Sequence, residues 1–337
     1  MIYPIPPGTR DVLPDEMREV RRLQSSLLGV FEDHGYGEVR TPTIEYADVV
    51  SRGDQASADD AYRFFDDRGE LLALRTDMTI PIARLVATRF GEVELPWRLS
   101  YVANSYRAVT PQRARLREFG QAGIELIGVD GADCIAEVVE ILARSLDAVG
   151  LQKAVIGLGD AELWAALVRD FGGSEEIVES SSRRLAGHDM VGLGADLQDC
   201  GEFESGQIEM MLDLVQRRGG PELLASARGS AGEHFERVLD RLEATCEAVS
   251  ARSVGARIQL DLGMLRDLGY YTGPILEVYD PSVGEAIGGG GRYDGLMQRF
   301  GVEQPAAGFS LYLEGIHKAQ LEQNGGASTK PAGGSRA

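Results

Sequence analysis

The sequence predicts an α+β fold, in which an antiparallel sheet is flanked by helices and interrupted by a helical insertion. Three observations predict this fold class. Apolar residues recur at helical spacing in two early stretches, apolar and polar residues alternate between those stretches, and strand patterns return after a long helical stretch. This order of elements is typical of α+β domains with antiparallel pairing.

The first predicted helix ends near Gly35, where a left-handed residue is expected. Its apolar stripe consists of Met17, Val20, Leu23, Leu27 and Phe31. Two strands are predicted at residues 98–106 and 120–128, where alternation indicates half-buried strands. The second helix is predicted between Asp133, a candidate N-cap, and Gly150, and its stripe consists of Ile135, Val138, Val139, Leu142 and Leu146.

The strand signal fades after Gly172, and residues 222–250 show a helical apolar stripe. Strand patterns return at residues 256–262 and 274–279, so chain from both sides of the helical stretch is expected to complete one sheet. The predicted organisation is a sheet domain formed by residues 1–172 and 255–323, a mainly helical insertion at 173–254, and a disordered Gly- and Ser-rich tail at 324–337.

Composition restricts the classes of function. The chain has 337 residues, with Lys+Arg 34 against Asp+Glu 53 and a formal net charge of −19. Such a charge argues against a general nucleic-acid binder, although not against one local basic groove. No apolar run approaches the ~18 residues of a membrane helix, and the start is unlike a signal peptide, so we expect a soluble, cytoplasmic protein.

Cysteines and histidines give no sign of a metal or disulfide framework. Cys134, Cys200 and Cys246 are far apart and form no C-x-x-C pair, and the four histidines have no ligand spacing. We therefore expect ordinary thiols, no metal site and no cofactor.

Four polar residues in the first half are candidates for a ligand site. Asp77 and Thr79 are two residues apart, and Gln121 and Glu125 are four apart, so each pair shares one face of an extended chain. Together they would offer two carboxylates, an amide and a hydroxyl, which suit a cationic amine. The alternative is that each pair faces solvent.

A second group of candidates follows the insertion. Arg266 is suited to hold a carboxylate, and the adjacent Tyr270 and Tyr271 supply hydroxyls and an aromatic wall, unless they serve only core packing. The glycine run at 288–291, just before Tyr293, permits close backbone approach to a ligand. We expect this run to form a structured loop, and a flexible linker is the alternative.

Several motifs in order resemble the histidyl-tRNA synthetase family over nearly the whole chain. They are Gly8-Thr9-Arg10-Asp11, Leu74-Arg75-Thr76-Asp77-Met78-Thr79, Tyr106-Arg107 leading to Pro111-Gln112, Arg115 to Gln121, Arg266 to Tyr271 and Gly289 to Asp294. The resemblance implies the class II aminoacyl-tRNA synthetase catalytic fold. That fold is an antiparallel sheet flanked by helices, dimeric, with a helical insertion.

Departures from the family pattern affect its nucleotide site. Val109 stands where an acidic residue is usual, Tyr312 replaces a glycine that gives the nucleotide room, and Gly315 replaces the arginine that grips the triphosphate. Losing an arginine that stabilises phosphoryl chemistry can cost ~10³–10⁵ in rate. Adenylate formation is expected to be crippled. The chain also ends soon after this motif, without an anticodon-binding domain, so no tRNA partner is expected.

With these departures, the chain resembles a paralogous family, the regulatory subunits of ATP phosphoribosyltransferase. That resemblance implies a non-catalytic chain needed for activity of a short catalytic subunit, which condenses ATP with phosphoribosyl pyrophosphate in the first step of histidine biosynthesis. It also implies a homodimer within a hetero-oligomer, and a contribution to feedback inhibition by histidine. L-histidine is then the candidate bound effector.

The resemblance also assigns roles in a histidine site. Asp77 and Thr79 would hold the α-amino group, Gln121 and Arg266 would lie at the carboxylate, and Glu125 would meet the imidazole. The ring would be enclosed by Tyr270, Tyr271 and Tyr293. Arg107 and Arg115 match nucleotide-contacting positions and are expected to remain as surface or anion contacts. The family's Arg-Gly-Leu-Asp-Tyr-Tyr reads Arg-Asp-Leu-Gly-Tyr-Tyr here, which places Asp267 beside Arg266 as a competing partner.

Three other functions stay open at this point. They are an active histidyl-tRNA synthetase-like enzyme, a stand-alone paralogue that activates an amino acid for another purpose, and a plain scaffold with an empty pocket. Tyr312 and Gly315 argue against the first, whereas Arg107, Arg115 and Arg266 leave the second open.

Overall fold

A nine-stranded mixed sheet is the centre of the computed structural model, which describes residues 3–91, 93–108, 116–266, 268–323 and 325. The strands of the described chain are β1 (Gly37–Glu38), β2 (Ile44–Tyr46), β3 (Arg63–Phe65), β4 (Leu71–Leu74), β5 (Trp97–Tyr106), β6 (Glu118–Ile127), β7 (Val155–Asp160), β8 (Arg218–Gly219), β9 (Ile258–Asp261), β10 (Pro274–Tyr279), β11 (Ala286–Arg292) and β12 (Ala306–Tyr312).

Helices lie between these strands. They are α1 (Pro14–Asp33), α2 (Ala47–Gly53), α3 (Gln55–Asp59), α4 (Thr79–Arg89), α5 (Gly131–Ala148), α6 (Leu163–Asp170), α7 (Glu175–Ala186), α8 (Met190–Asp199), α9 (Ser205–Leu214), α10 (Glu222–Ala227), α11 (Glu233–Ala251), α12 (Asp294–Arg299) and α13 (Leu313–Gln323), with a 3₁₀ turn at Gly255–Arg257.

The strand order confirms the predicted fold class. The large sheet runs β1-β5-β6-β12-β11-β10-β7-β9-β8, and its central pairs from β5 to β7 are all antiparallel. β7 precedes the helical stretch and pairs with β9 and β10, which follow it. One sheet is thus completed by chain from both sides, as the sequence indicates.

The two helices predicted from apolar stripes are α1 and α5, and both stripes are buried. Gly35 and Gly150 follow their ends with φ of +79°, the conformation for which glycine is favoured. The predicted N-cap of α5 is wrong: Asp130 caps it by accepting a hydrogen bond from the Gly131 amide, and Asp133 lies in the first turn. Asp130, three residues before Asp133, supplies the side-chain oxygen that an N-cap requires.

Residues 173–254 form the five helices α7–α11 and the short strand β8. Phe235, Leu239 and Leu242 of α11 belong to the same hydrophobic core as Leu158 of the sheet. β8 pairs with β9 at the sheet edge, where Arg218 is opposite Asp261. The helical stretch therefore packs into the main core and also extends the sheet, so its division from the sheet domain stays a prediction.

The glycine run is a strand, which corrects the expectation of a loop. Gly288–Gly291 lie in β11, paired with β10 and β12. A Cβ added to Gly290 would come 2.1 Å from the carbonyl oxygen of Gly308 and 2.7 Å from the Cα of Phe309. Glycine is required here because the neighbouring backbone approaches closely. The predicted disordered tail at 324–337 lies outside the described residues except for Gly325.

A separate three-stranded antiparallel sheet has the order β2-β4-β3. One side of it faces the molecule: Ala73 is fully buried and packs with Ala47 and Val50 of α2. Glu45, on the same side, accepts two hydrogen bonds from Arg84 of α4, at 2.9 and 2.7 Å.

Candidate functional site

The structure gathers the predicted ligand residues around one cavity on the large sheet, the front cavity. It is lined by nine of the predicted residues: Asp77, Thr79, Arg107, Gln121, Glu125, Arg266, Tyr270, Tyr271 and Tyr293. Its free volume is about 20 Å³, which holds about one water molecule. The residues converge as the sequence predicts, whereas their role in binding stays a prediction.

Asp77 and Thr79 reach the cavity by a different route from the one expected. Thr79 begins α4, and Asp77 precedes it and accepts a hydrogen bond from the Ile80 amide at 2.9 Å through Oδ1. The assumption of an extended chain is therefore wrong here. Asp77 Oδ2 is buried and has no hydrogen-bond partner within the described chain. Burial raises the pKa of this carboxyl to about 6.

Gln121 and Glu125 both lie on β6, which is buried on both faces, so the alternative that they face solvent is wrong. Glu125 accepts hydrogen bonds from Thr79 Oγ1 at 2.9 Å and from the Tyr293 hydroxyl. Burial outweighs these bonds and raises the pKa of Glu125 to about 8. An uncharged Glu125 therefore predominates at neutral pH while the cavity holds no cation.

Gln121 is oriented by two serines that sequence reasoning missed. Ser105 Oγ donates to Gln121 Oε1 at 2.6 Å, and Gln121 Nε2 donates to Ser310 Oγ at 3.2 Å. These serines lie on β5 and β12, the two strands that flank β6. Their only signal in the sequence was their position on strands that pair with β6, which becomes known only with the strand order.

Arg266 forms one wall of the front cavity. Its Nη1 donates to the Leu276 carbonyl at 3.0 Å and lies 3.9 Å from Glu277 Oε1, and its guanidinium carbon is 5.8 Å from the Tyr271 ring centre. A Cβ on Gly289 would come 1.6 Å from Nη1, so the glycine of β11 makes room for the arginine. Asp267, the predicted competitor for this arginine, lies outside the described residues.

Three tyrosines enclose the other side. The Tyr270 ring centre is 4.9 Å from that of Tyr271 and 6.1 Å from that of Tyr293. Tyr270 and Tyr293 are each 2% exposed, so their rings form an apolar wall beside the two acids. This wall explains the raised acid pKa values, because it removes water from the carboxyl groups.

On the predicted nucleotide side of the site, the described side chains contact one another. The guanidinium of Arg107 stacks over the Phe119 ring, 5.2 Å from its centre, and the Tyr312 ring contacts Phe119 edge-on at 5.8 Å. Glu314 accepts hydrogen bonds from the Gly120 amide. Arg115 and Val109 lie outside the described residues.

A neighbouring space, the rear cavity, has a volume of about 310 Å³. Arg266, Leu268 and Tyr271 line both cavities and so form the partition between them. The far side of the rear cavity includes Ser182 and Ala186 of α7. The rear cavity therefore lies between these three side chains and α7 of the helical stretch.

Neither a metal cluster nor a membrane span emerges from the described chain. No group of three or more His, Cys, Asp or Glu side chains there is placed to hold a metal ion. None of its helices combines the length and apolar character that crossing a membrane demands.

Comparison with known proteins identifies the family. The family model described as histidyl-tRNA synthetase matches residues 8–316. A curated relative from Moorella thermoacetica, named ATP phosphoribosyltransferase regulatory subunit, is 40% identical over 320 residues, which cover 94% of this chain and 82% of the relative. The chain belongs to this regulatory-subunit family, a branch of the histidyl-tRNA synthetase group.

Other members of the regulatory-subunit family agree with this assignment. A relative of the same name from Desulforamulus reducens is 38% identical over 327 residues, covering 96% of this chain and 80% of the relative. A solved structure from Bacillus halodurans, titled ATP phosphoribosyltransferase regulatory subunit/histidyl-tRNA synthetase, has a TM-score of 0.87 at 29% identity and covers 95% of this chain and 83% of that one.

Proposed function

We propose that this chain is a non-catalytic regulatory subunit that a short catalytic chain of ATP phosphoribosyltransferase requires for activity in the first step of histidine biosynthesis. In the complex it is a homodimer, located in the cytoplasm, and it uses neither tRNA nor a cofactor. The names of its relatives support a catalytic partner. L-histidine binds in the front cavity and contributes to feedback inhibition.

The observation that carries the ligand assignment is Asp77 Oδ2, which is buried at the cavity without a partner in the described chain. A buried acceptor without a donor is costly, and the α-ammonium of an amino acid supplies that donor. Glu125 and Tyr293 then meet the imidazole, and Arg266 and Gln121 lie on the side of the carboxylate. A polar amino acid with a flat ring complements these groups.

The absence of catalysis rests on the nucleotide side. The contact of Tyr312 with Phe119 fills space that a glycine at 312 would leave open. Gly315 of α13 carries no side chain to hold a triphosphate, and a Cβ there would already lie 3.2 Å from Ile287 Cγ2. We therefore expect no histidine-dependent exchange of pyrophosphate into ATP.

Reconstitution tests the proposal directly. A short ATP phosphoribosyltransferase chain is assayed alone and with this protein, with and without L-histidine. The expected result is activity only in the mixture, inhibited by histidine. No stimulation, or robust ATP–pyrophosphate exchange by this chain alone, would contradict the regulatory role.

Asp77→Asn separates regulation from activation. Asparagine retains an oxygen for the Ile80 amide but loses the negative charge that meets the α-ammonium. The variant should stimulate the catalytic chain fully, and its inhibition by histidine should need at least about tenfold more ligand. Unchanged inhibition would place the effector site elsewhere.

A further inference from the structure

The rear cavity differs from the front cavity in the charge of its walls. Its described lining contains two arginines, Arg183 of α7 and Arg266, and neither an aspartate nor a glutamate. Most of the remaining lining is apolar and includes Leu265, Leu268 and Ile275. A chain with a formal net charge of −19 thus presents two cations, and no described acid, to one cavity.

Arg183 has no acidic partner within the described residues. Its neighbour Arg184, also in the last turn of α7, pairs with Asp189 and Asp196, each at 2.9 Å. Arg183 lines the rear cavity instead. An arginine stays charged and offers five N–H donors, so Arg183 is able to give donors to a ligand without breaking an existing ion pair.

Most donors of Arg266 are unused as well. Within the described chain only Nη1 donates, to the Leu276 carbonyl at 3.0 Å, and the one described carboxylate within 4 Å is that of Glu277, at 3.9 Å. The Arg266 side chain is only 12% exposed, so little water reaches its other donors. A buried guanidinium with unused donors favours an anion that has several acceptor oxygens.

We propose that the rear cavity binds a small phosphorylated metabolite, whose phosphate is held by Arg183 and Arg266. The oxygens of a phosphate match guanidinium donors that come from two parts of the chain. Ser182 lines the same cavity, and its hydroxyl, which bonds to no described residue, supplies a further donor. The apolar part of the lining contacts the organic part of the ligand. The volume of about 310 Å³ is at the lower end of the ~300–1,000 Å³ range for small-molecule sites.

Arg266 couples the rear cavity to the front cavity, because it lines both. Under the proposed function it lies at the carboxylate of L-histidine, and a phosphate in the rear cavity competes for the same guanidinium. Each ligand should therefore weaken the binding of the other, by roughly fivefold or more. This consequence rests on the proposed function, whereas the phosphate site itself does not.

The adjacent arginines of α7 provide a matched test. Arg183→Gln removes a cation from the rear cavity, and Arg184→Gln removes one that lies outside its lining. Calorimetric titration of the full chain with ribose 5-phosphate should show saturable binding to the wild type and to Arg184→Gln. Arg183→Gln should bind at least about tenfold more weakly, because a charge-assisted contact is lost. No saturable binding to the wild type at millimolar concentrations, or equal affinities of the two variants, would overturn the inference.

Two further titrants define the ligand. Ribose carries no phosphate and should not bind measurably. Inorganic phosphate should bind more weakly than ribose 5-phosphate, because it has no organic part to contact the apolar lining. Ribose that binds as tightly as ribose 5-phosphate would contradict the role of the arginines, and equal affinities for the two phosphates would contradict the role of the apolar lining.

A titration with L-histidine at saturating ribose 5-phosphate tests the coupling. The affinity of the wild type for L-histidine should fall roughly fivefold or more, and an unchanged affinity would overturn the sharing of Arg266. The site and the proposed function fail differently. Binding of ribose 5-phosphate without binding of L-histidine would contradict the effector role and support the rear site, and the reverse result would overturn the rear site alone.

Discussion

Asp77 and Glu125 are two buried acids that share one cavity, and burial raises the pKa of both. Sequence reasoning found both residues, because their motifs are local. It could not find their environment, because the tyrosines that exclude water and the serines that hold Gln121 come from distant parts of the chain. The residues that line the front cavity were therefore predictable, and the electrostatics of the two acids were not.

The affinity of the protein for L-histidine should fall as the pH is lowered. The pKa of Asp77 is about 6, so lowering the pH from 7 to 5 protonates it and removes the charge that is proposed to meet the α-ammonium. Calorimetric titration should show roughly tenfold weaker binding per pH unit below 6. Asp77→Asn should bind weakly at all these values and lack the step attributed to Asp77. A wild type that keeps its pH 7 affinity at pH 5 would refute this account.

Glu125→Gln should stabilise the ligand-free protein at alkaline pH. The pKa of Glu125 is about 8 when folded and roughly 4.3 in an unfolded chain. Between these values the folded state binds the extra proton, so stability falls as the pH rises toward 8. Glutamine can still accept from Thr79 and carries no charge. We expect a gain of about 2 kcal/mol at pH 8 and little gain at pH 4, measured by urea unfolding.

At the scale of elements, β11 depends on glycines, because the backbones of the neighbouring strands approach too closely to leave room for a side chain. Its sequence resembles a flexible loop, because glycine lowers strand propensity. Only the approach of β10 and β12 shows that the glycines are needed for packing. This information is tertiary, which is why the strand was not predicted.

Gly290→Ala tests this dependence. The added methyl meets backbone atoms of Gly308 and Phe309, which cannot rotate away, so we expect a loss of about 2–3 kcal/mol or failure to fold. Gly206→Ala in α9 is the control, because its Cβ meets nothing within 4 Å. That change should be neutral or stabilise by up to about 1 kcal/mol. Equal effects of the two changes on chemical denaturation would contradict the packing argument.

An ion pair links α11 to β7 of the large sheet. Arg241 donates to both oxygens of Asp160, at 2.8 and 2.7 Å, and the Asp160 side chain is fully buried. Arg241→Ala leaves that carboxylate without its partner and should cost about 3 kcal/mol, the low end for a buried pair because Arg241 is one-third exposed. Adding Asp160→Asn should restore part of the loss. No recovery in the double variant would show that the arginine acts through packing alone.

At the scale of the whole molecule, the order of helical and strand patterns predicted the fold class and the return of the chain to one sheet after its helical stretch. It did not predict β8, which is two residues long and forms only because β9 offers an edge. Nor did it predict the small sheet, whose short strands carry no clear alternation. Short strands that form only by pairing with a strand distant in the sequence are the hardest elements to predict from local sequence patterns.

The narrow front cavity has a consequence for kinetics. If an amino acid binds in the front cavity, as proposed, side chains that line it must move to make room, and Arg266, Leu268 and Tyr271 border the larger rear cavity. We therefore expect association to be slower than diffusion and to displace atoms beside α7. Trp164 of α6 donates a hydrogen bond to Ser181 of α7, next to Ser182 at that wall. Its fluorescence should therefore change at the same rate as the site fills, which gives stopped-flow experiments an internal optical signal.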